Sequence, residues 1–380
     1  MHKMDKSMSN TVYIAAAGSG KTTLLVKKAC EIKSPENVLI LTYTDSNENE
    51  IRKKFHKING FIPENVCVQS WFSFLFQFYI KPYQNYLTND NFDIKGLIIS
   101  TNSRRETNWR PSRAQWKSYY FTKENRVLAE KLSELALDCN NKSGDLPLKR
   151  LTNIFEHIYI DEVQDLAGHD LDLLKQLFLS KSNIIIAGDP RQTTYLTNHN
   201  GNKNQKYREG KILEYLGTQK ELKNKFDVDD ITLNQSWRCC QEICDFASKI
   251  SKDFPLTVSK NESTLPVKGI YLIKPEDKEN FLKVYSNMIQ LRWDKRAKGI
   301  IENFDCMNFG ESKGLTFDGV LIYPTKDMKY WIENNDKELA FATRCKFYVA
   351  VTRAQYVVGI VWDKEITSVS ELTFWKQKEE

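Results

Sequence analysis

The sequence lacks the features that would place the protein in a membrane or outside the cell. It has no apolar stretch of eighteen residues, so we expect no membrane-spanning helix. The first ten residues, MHKMDKSMSN, have no apolar core and are not expected to act as a signal peptide. The 8 cysteines include no C-x-x-C pair, which is typical of reduced cytosolic thiols. We therefore expect a cytoplasmic location.

Metal-binding patterns of cysteine and histidine, internal repeats and low-complexity linkers are absent as well. Cys239, Cys240 and Cys244 lie close together in sequence but have no histidine beside them, so a metal or iron–sulfur site is not expected. At 380 residues with 41% hydrophobic residues, the chain is long enough for two or three domains with real cores. The net charge of +6 is compatible with nucleic-acid binding but does not establish it.

A phosphate-binding loop is predicted in TVYIAAAGSGKTT, residues 11–23. A short apolar strand leads into a loop of small residues and then into a helix. The glycines let successive N–H groups point at one anion. Lys21 can reach the outer phosphates, and the Thr22 hydroxyl can ligate Mg²⁺. A plain glycine-rich turn is the alternative, which the order of strand, loop and helix disfavours. The predicted phosphate-site residues are Gly18, Ser19, Gly20, Lys21, Thr22 and Thr23.

Two further strand ends carry groups suited to nucleotide hydrolysis. The apolar run HIYI is followed by DEVQD, in which Asp161 would hold Mg²⁺ through water. Glu162 would orient and deprotonate the attacking water. The run NIIIA ends in GDPRQTTY, which places Gln192 where it can sense a γ-phosphate. Acidic residues at a strand end are often solvated turn residues, but here they follow a phosphate loop.

Strands that alternate with helices predict an α/β fold with parallel sheets. A helix is expected from Asp45, which we interpret as its cap, with Ile51, Phe55 and Ile58 on one face. A second amphipathic helix is expected over residues 125–139. The predicted strands are residues 11–14, 37–41, 66–70, 157–160, 183–187, 270–273, 320–323 and 356–361.

Residues 85–150 differ from the rest of the chain, since the strand rhythm fades and cations alternate with aromatic residues. Arg110 and Arg113 lie among these cations, near Trp116 and Tyr120. This mixture suits the binding of single-stranded nucleic acid, whose bases stack on aromatic side chains and whose phosphates pair with cations. A small helical insertion with its own core explains it equally well, so both interpretations stay open.

The motifs occur in the order found in the UvrD/Rep-like helicases of superfamily 1, which the chain resembles. The resemblance rests on AAAGSGKTT for the Walker A motif, LTYTDSNENEIRKK for Ia, VQSWFSF for Ib, IDEVQDL for II, GDPRQTTY for III, LNQSWR for IV, ESKGLTFD for V and FYVAVTRA for VI. The resemblance implies two RecA-like domains with ATP and Mg²⁺ in the cleft between them. It implies that residues 1–84 and 151–225 form the first domain, 85–150 a small helical insertion and 226–380 the second domain.

The resemblance also implies roles for particular residues. Arg238 and Arg353 would touch the γ-phosphate, Trp237 would stack on the adenine, and Gly314 would lie against the phosphates. Residues that match positions along the single-strand path are Thr44, Ser70, Trp71, Phe72 and Tyr195.

The chain departs from the family pattern in several places. The adenine-reading Gln upstream of Walker A is missing, which leaves base selectivity open. Phe72 replaces a usual His, and Gly310 and Thr316 replace a usual His and Glu. Only residues 239–307 separate motif IV from motif V, so most of the large second-domain insertion is missing.

The resemblance implies an ATP-dependent, 3′→5′ single-stranded-DNA translocase or helicase that unwinds weakly alone. Two alternatives stay open: an ATP- and DNA-sensing regulatory subunit of a nuclease complex, and an RNA-directed ATPase. The compact architecture is similar to the helicase-like subunit of Gabija-type antiphage systems, which works with an OLD-family nuclease. Residues 198–211 and 249–268 are the candidate contacts for such a partner, with solvated loops as the alternative.

Overall fold

The computed structural model describes residues 10–87, 92–98, 111–194, 203–334, 338–364 and 372–376. The chain forms two compact units, each assembled from separate stretches of sequence. The first unit contains Met1–Val12, Thr22–Gly188 and Leu196–Val228. The second unit contains Tyr13–Lys21, Asp189–Tyr195 and Asp229–Glu380. The phosphate loop therefore belongs to the second unit, and the helix that follows it belongs almost entirely to the first.

Strands and helices alternate along the chain, which confirms the predicted α/β class. The described strands are β1 Asn10–Ile14, β2 Val38–Thr42, β3 Val66–Ser70, β4 Gly96–Ile98, β5 Arg126–Leu128, β6 His157–Asp161, β7 Asn183–Gly188, β8 Phe226–Asp229, β9 Gln235–Ser236, β10 Val258–Ser259, β11 Gly269–Ile273, β12 Met288–Arg292, β13 Cys306–Asn308, β14 Phe317–Tyr323, β15 Ala354–Val361 and β16 Thr373–Phe374.

The helices are shorter than those of many α/β proteins, and several are single turns. The described α-helices are α1 Lys21–Glu31, α2 Asp45–Asn59, α3 Trp71–Phe74, α4 Trp116–Tyr120, α5 Leu132–Lys142, α6 Leu146–Ile154, α7 His169–Leu179, α8 Ile212–Thr218, α9 Gln241–Ile250, α10 Lys278–Leu282, α11 Lys326–Asn334 and α12 Phe341–Val351. A π-helix, Leu75–Ile80, continues α3. Within the described residues, every helix is too short or too polar to cross a lipid bilayer.

The first six-stranded sheet has the order β3-β2-β6-β7-β1-β8. The pairs β2·β3, β2·β6 and β6·β7 are parallel, so the carboxyl ends of these strands share one edge of the sheet. The central strands are apolar and fully buried, as in β2 and β6. Asp161 is the last residue of β6, and the turn to Thr44 follows β2. The parallel arrangement therefore gathers the polar residues that follow these strands.

The second six-stranded sheet has the order β13-β12-β14-β15-β11-β16 and is parallel at every pairing. Its central strand β14 is buried from Gly319 to Tyr323. A Cβ at Gly319 would lie 2.5 Å from Cγ1 of Val357 on the neighbouring strand, so only glycine fits there. Helices α9 and α12 pack their apolar faces on this sheet, with Ile243 and Phe347 fully buried.

Two predictions about helix starts need correction. Helix α2 is capped by Thr44, whose hydroxyl accepts a hydrogen bond from the N–H of Asn47 at 3.1 Å, and Asp45 is its first residue. The helix predicted over 125–139 begins only at Leu132. Residues 126–128 form β5 instead, because this short apolar stretch pairs in parallel with β4. Of the three residues expected on one face of α2, Ile51 and Phe55 are buried, whereas Ile58, in the last turn, is 39% exposed.

Candidate nucleotide site

The loop before α1 adopts backbone conformations that require glycine. Gly18 has φ +72° and Gly20 has φ +87°, both in the left-handed region. A Cβ at Gly18 would lie 2.6 Å from Cβ of Arg238 and 2.9 Å from Oγ of Ser236. Because the space is closed to any side chain, the backbone alone lines this part of the loop, as a phosphate cradle requires.

Backbone hydrogen bonds fix the loop within the second unit. The N–H of Ala16 donates to the carbonyl of Leu233 at 2.8 Å, and the N–H of Trp237 donates to the carbonyl of Gly18 at 3.0 Å. The hydroxyl oxygen of Ser19 is buried and has no hydrogen-bond partner among the described residues. An unsatisfied hydroxyl beside left-handed glycines fits an anionic ligand such as a phosphate group.

In the first unit, Thr22 and Asp161 form a pair suited to a hard cation. The Thr22 hydroxyl donates to Oδ2 of Asp161 at 2.6 Å. The other carboxylate oxygen of Asp161 accepts the N–H of Glu162 at 2.9 Å. Hydroxyl and carboxylate oxygens are the ligands that Mg²⁺ prefers. The donor set therefore fits the predicted magnesium site.

Glu162 is held in an unusual conformation at the end of β6. Its φ of 56° lies in the left-handed region, which a non-glycine residue adopts at a cost of roughly 1–3 kcal/mol. The amide of Gln164 donates to the Glu162 carboxylate, and Gln164 itself is buried. A backbone strained in this way turns the carboxylate out of the strand direction, and the amide then fixes its position.

In the second unit, Gln192 and Arg353 are brought together. Nη2 of Arg353 donates to Oε1 of Gln192 at 3.0 Å. The guanidinium also donates from Nε to the carbonyl of Val349 at 3.1 Å and from Nη1 to the carbonyl of Leu315 at 3.3 Å. Arg353 is only 1% exposed. Its position just after α12 is therefore fixed by several hydrogen bonds.

Arg238 and Trp237 lie beside the glycine loop. Nη1 of Arg238 donates to the carbonyl of Thr352 at 3.2 Å, which places this side chain next to the residue that precedes Arg353. Trp237 is 62% exposed, although its backbone N–H is hydrogen-bonded to the carbonyl of Gly18. An exposed indole at the rim of a phosphate loop is available to stack on a base.

Gly314 lies in the loop before β14 with φ +86°. A Cβ added there would meet nothing within 4 Å, so this glycine is required by its conformation and not by crowding. The structure is thus compatible with close approach of a ligand to this loop.

The residues predicted to line the path of a single-stranded nucleic acid occupy different environments. Thr44 is exposed and caps α2, and Phe72 makes an edge-on contact with Tyr43 at 5.5 Å. Ser70 is buried and donates to Oγ of Ser73 at 3.0 Å. Trp71 is 1% exposed, and its indole N–H donates to Asp170 at 2.7 Å. Of these four side chains, only those of Thr44 and Phe72 reach the surface.

The described part of residues 85–150 has its own aromatic core. The ring of Phe92 contacts those of Trp116 and Phe121 at centroid distances of 5.5 and 4.9 Å. The hydroxyl of Tyr120 donates to Asp138 at 2.7 Å, and the guanidinium of Arg113 pairs with the same carboxylate. These contacts favour the helical mini-core over a strand-binding surface. The predicted residues Arg110 and Tyr195 lie outside the described residues.

Sequence reasoning missed two residues that hold the site together, Asp189 and Arg191. Asp189 is fully buried and accepts from Nε of Arg191 at 2.7 Å. Nη2 of Arg191 donates to the carbonyl of Ala15, at the start of the glycine loop, at 2.7 Å. The guanidinium carbon of Arg191 lies 5.1 and 4.9 Å from the ring centroids of Tyr348 and Phe254. The signal in the sequence was the pair of opposite charges two residues apart directly after a buried strand.

Comparison with known proteins decides the family. A family model described as AAA domain (AAA_19) matches residues 3–198, more than half of the chain. The chain belongs to this AAA domain family. The matched range contains the glycine loop, the Asp161–Glu162 pair and Gln192.

Curated relatives narrow the assignment within the AAA domain family. The chain is 23% identical over 290 residues to the "Probable DNA helicase II homolog" of Mycoplasma capricolum, covering 63% of this chain and 38% of that protein. It is 22% identical over 305 residues to the "ATP-dependent DNA helicase PcrA" of Bacillus subtilis, covering 68% of this chain and 40% of that protein. It is 26% identical over 306 residues to the "Gabija protein GajB" of Bacillus cereus, covering 72% of this chain and 55% of that protein.

These likenesses confirm the expected place of the chain among UvrD-like superfamily 1 helicases. The matched part spans 38 to 55% of the length of the three relatives, so each relative contains regions with no counterpart in the alignment.

Proposed function

We propose that the protein is an ATP-dependent single-stranded-DNA translocase or helicase of the UvrD-like type. The observation that carries this proposal is the 2.6 Å hydrogen bond from Thr22, the residue after the phosphate-loop lysine, to Asp161 at the end of β6. This pair brings together the two motifs on which nucleotide hydrolysis depends. Translocation from 3′ to 5′ and weak unwinding by the chain alone are parts of the same proposal.

The chain's own groups divide the work of hydrolysis. The backbone of Gly18, Ser19 and Gly20 lines the phosphate position, and Lys21 neutralises the outer phosphates. Thr22 and Asp161 hold Mg²⁺, with Thr23 following in the same turn of helix. When bound, MgATP supplies the phosphoryl group that is transferred to water. Glu162 takes the proton from that water as general base.

The arginines and the aromatic residue of the second unit complete the proposed site. Arg238 and Arg353 stabilise the charge that develops on the γ-phosphate in the transition state. Trp237 stacks on the base, and its exposed ring supports this role. Gly314 allows the loop before β14 to approach the phosphates closely. Gln192 links these groups through its hydrogen bond to Arg353.

The proposed path of single-stranded DNA begins at the carboxyl ends of β2 and β3. Thr44 and Phe72 follow these strands and reach the surface, so they can contact phosphate and base respectively. Ser70 and Trp71 are buried, and their proposed part is to support the surface.

The test is the ATPase rate with single-stranded DNA, duplex DNA, single-stranded RNA or no nucleic acid, with Lys21→Ala as the inactive control. We expect single-stranded DNA to raise the rate most. Stimulation by RNA alone would favour an RNA-directed ATPase. Unwinding is measured on duplexes with a 3′ or a 5′ single-stranded tail, and equal activity on both would contradict the proposed polarity.

A second candidate function is favoured by the likeness to the Gabija protein GajB. We propose as the alternative that the chain binds ATP and DNA to regulate a nuclease partner of the OLD type in antiphage defence. Purification of the chain together with the products of neighbouring genes, followed by measurement of the mass in solution, tests this idea. A monomer that unwinds duplex DNA efficiently alone would exclude it.

A further inference from the structure

Asp189 is hydrogen-bonded to Gln192, one of the proposed γ-phosphate residues of the second unit, without being such a residue itself. Nε2 of Gln192 donates to Oδ2 of Asp189 at 2.8 Å, while Oε1 of the same amide accepts from Nη2 of Arg353 at 3.0 Å. All three side chains are buried. A carboxylate, an amide and a guanidinium therefore form one hydrogen-bonded row.

The two neighbours of the amide determine which way it faces. A carboxylate can only accept hydrogen bonds, and a guanidinium can only donate them. If the amide of Gln192 were turned over, its NH₂ would face the donors of Arg353 and its oxygen would face Asp189. Each buried group left without a partner costs about 1–3 kcal/mol. Asp189 therefore makes Gln192 an acceptor toward Arg353.

Asp189 is itself fixed by donors from two directions. The backbone N–H and Nε of Arg191 both donate to Oδ1, at 3.2 and 2.7 Å. The hydroxyl of Tyr348 donates to Oδ2 at the longer distance of 3.4 Å. Burial raises the pKa of Tyr348, which keeps this hydroxyl protonated. The position of Oδ2, the atom that meets Gln192, is therefore determined by residues outside the row.

We propose that Asp189 is a positioning residue for ATP hydrolysis, which acts by orienting the amide of Gln192 so that its oxygen holds Arg353. This inference rests on the proposed function and deepens it. An amide oxygen cannot bond a phosphate oxygen, because both are acceptors. In this orientation, Gln192 acts on the γ-phosphate through Arg353.

The first test reverses the polarity at Asp189 without changing its size. In Asp189→Asn, the remaining oxygen stays with the two donors of Arg191, so the new NH₂ faces Gln192 and turns its amide over. We expect kcat to fall about tenfold with KM for ATP within about twofold, because the loss acts on a transition-state contact. Asp172→Asn is the control, since Asp172 is hydrogen-bonded to Tyr215 in the first unit. A folded Asp189→Asn variant with unchanged kcat would overturn the inference.

The second test needs no activity. Gln192→Glu places two carboxylates together, whereas the double variant Asp189→Asn with Gln192→Glu exchanges amide and carboxylate and restores the donor–acceptor match of residue 192 with both of its neighbours. We expect each single variant to lower the denaturant midpoint of unfolding and the double variant to recover at least about half of the summed loss. Losses that simply add would overturn the inference. If the wild-type chain hydrolyses no ATP, the proposed function fails, and this cycle alone still decides the role of Asp189.

Discussion

The hydroxyl of Thr22 donates to the carboxylate of Asp161 across 2.6 Å, although 139 positions separate the two residues in sequence. Thr22 is the second residue of α1, and Asp161 is the last residue of β6. Without a cation, the two groups satisfy each other. In the proposed site, these two groups would hold Mg²⁺.

Removal of the Thr22 hydroxyl is expected to weaken Mg²⁺ binding. Thr22→Val keeps the branched shape but cannot bond Asp161, so the Mg²⁺ concentration for half-maximal ATPase should rise by about tenfold. Titration of the ATPase with Mg²⁺ at fixed ATP measures this. Thr152→Val, which removes a buried hydroxyl in α6, is the control. An unchanged Mg²⁺ requirement in Thr22→Val would remove this residue from the metal site.

Glu162 and Lys21 are expected to act on different steps. Glu162→Gln should lower kcat by about 10²–10⁴-fold while ATP still binds, because the base is lost but the phosphate loop is intact. Lys21→Ala should lose ATP binding and turnover together, since the lysine charge contacts the phosphates in both the ground state and the transition state. Binding of a fluorescent ATP analogue and steady-state turnover separate the two effects. Hydrolysis at the wild-type rate by Glu162→Gln would show that another group is the base.

Gly18 and Gly314 provide a matched pair of substitutions. Both have positive φ, but a Cβ at Gly18 would collide with Arg238, whereas a Cβ at Gly314 would meet nothing within 4 Å. Gly314→Ala should therefore cost only the strain of the left-handed backbone, about 1 kcal/mol of unfolding free energy. Gly18→Ala should cost more and abolish nucleotide binding, because the loop must shift.

Denaturant unfolding and nucleotide affinity are measured for both variants. Gly314→Ala isolates the effect of backbone strain, and the difference between the variants reports the collision. Equal losses of stability would mean that the space beside Gly18 can open, so the loop would be less closely fitted than the distances indicate.

The sequence predicted the parts of the fold that depend on local pattern. Apolar runs followed by small or acidic residues located β1, β3, β6 and β7 to within about one residue. The glycine loop was predictable because only glycine tolerates a positive φ without strain. Asp161 was assigned to Mg²⁺ from its place at a strand end, and the hydrogen bond from Thr22 is consistent with that assignment.

What the sequence could not supply depends on contacts between distant residues. Trp71 follows β3 in a motif matched to strand binding, yet its indole N–H is used by Asp170, 99 positions away. The role of Asp189 is invisible for the same reason, because it requires Gln192 and Arg353 to be in contact. The early start predicted for α5 failed because β4 offers residues 126–128 a strand partner. Periodicity alone does not reveal such a partner.

Arg113 separates the two interpretations of the helical insertion. Its guanidinium pairs with Asp138, and Glu134 lies 3.8 Å from its other amino group. Arg113→Glu should therefore lower the unfolding midpoint, because three carboxylates would then lie together. Lys117→Glu is the matched charge reversal on the neighbouring helix α4, where the ammonium lies 5.5 Å from the ring centroid of Phe92. Comparison of the two reversals shows how much of the stability loss comes from the carboxylates of Asp138 and Glu134 beside Arg113.

Affinity for single-stranded DNA is measured on the same two variants over a range of salt concentrations. If the insertion only forms a mini-core, both variants keep the wild-type affinity and the wild-type dependence on salt. If its cations contact phosphates, each reversal should weaken binding and reduce the slope of log K against log salt by about 0.7 for each lost contact. Because Arg113 already has a carboxylate partner, we expect the first result for Arg113→Glu, with a loss of stability as its only effect.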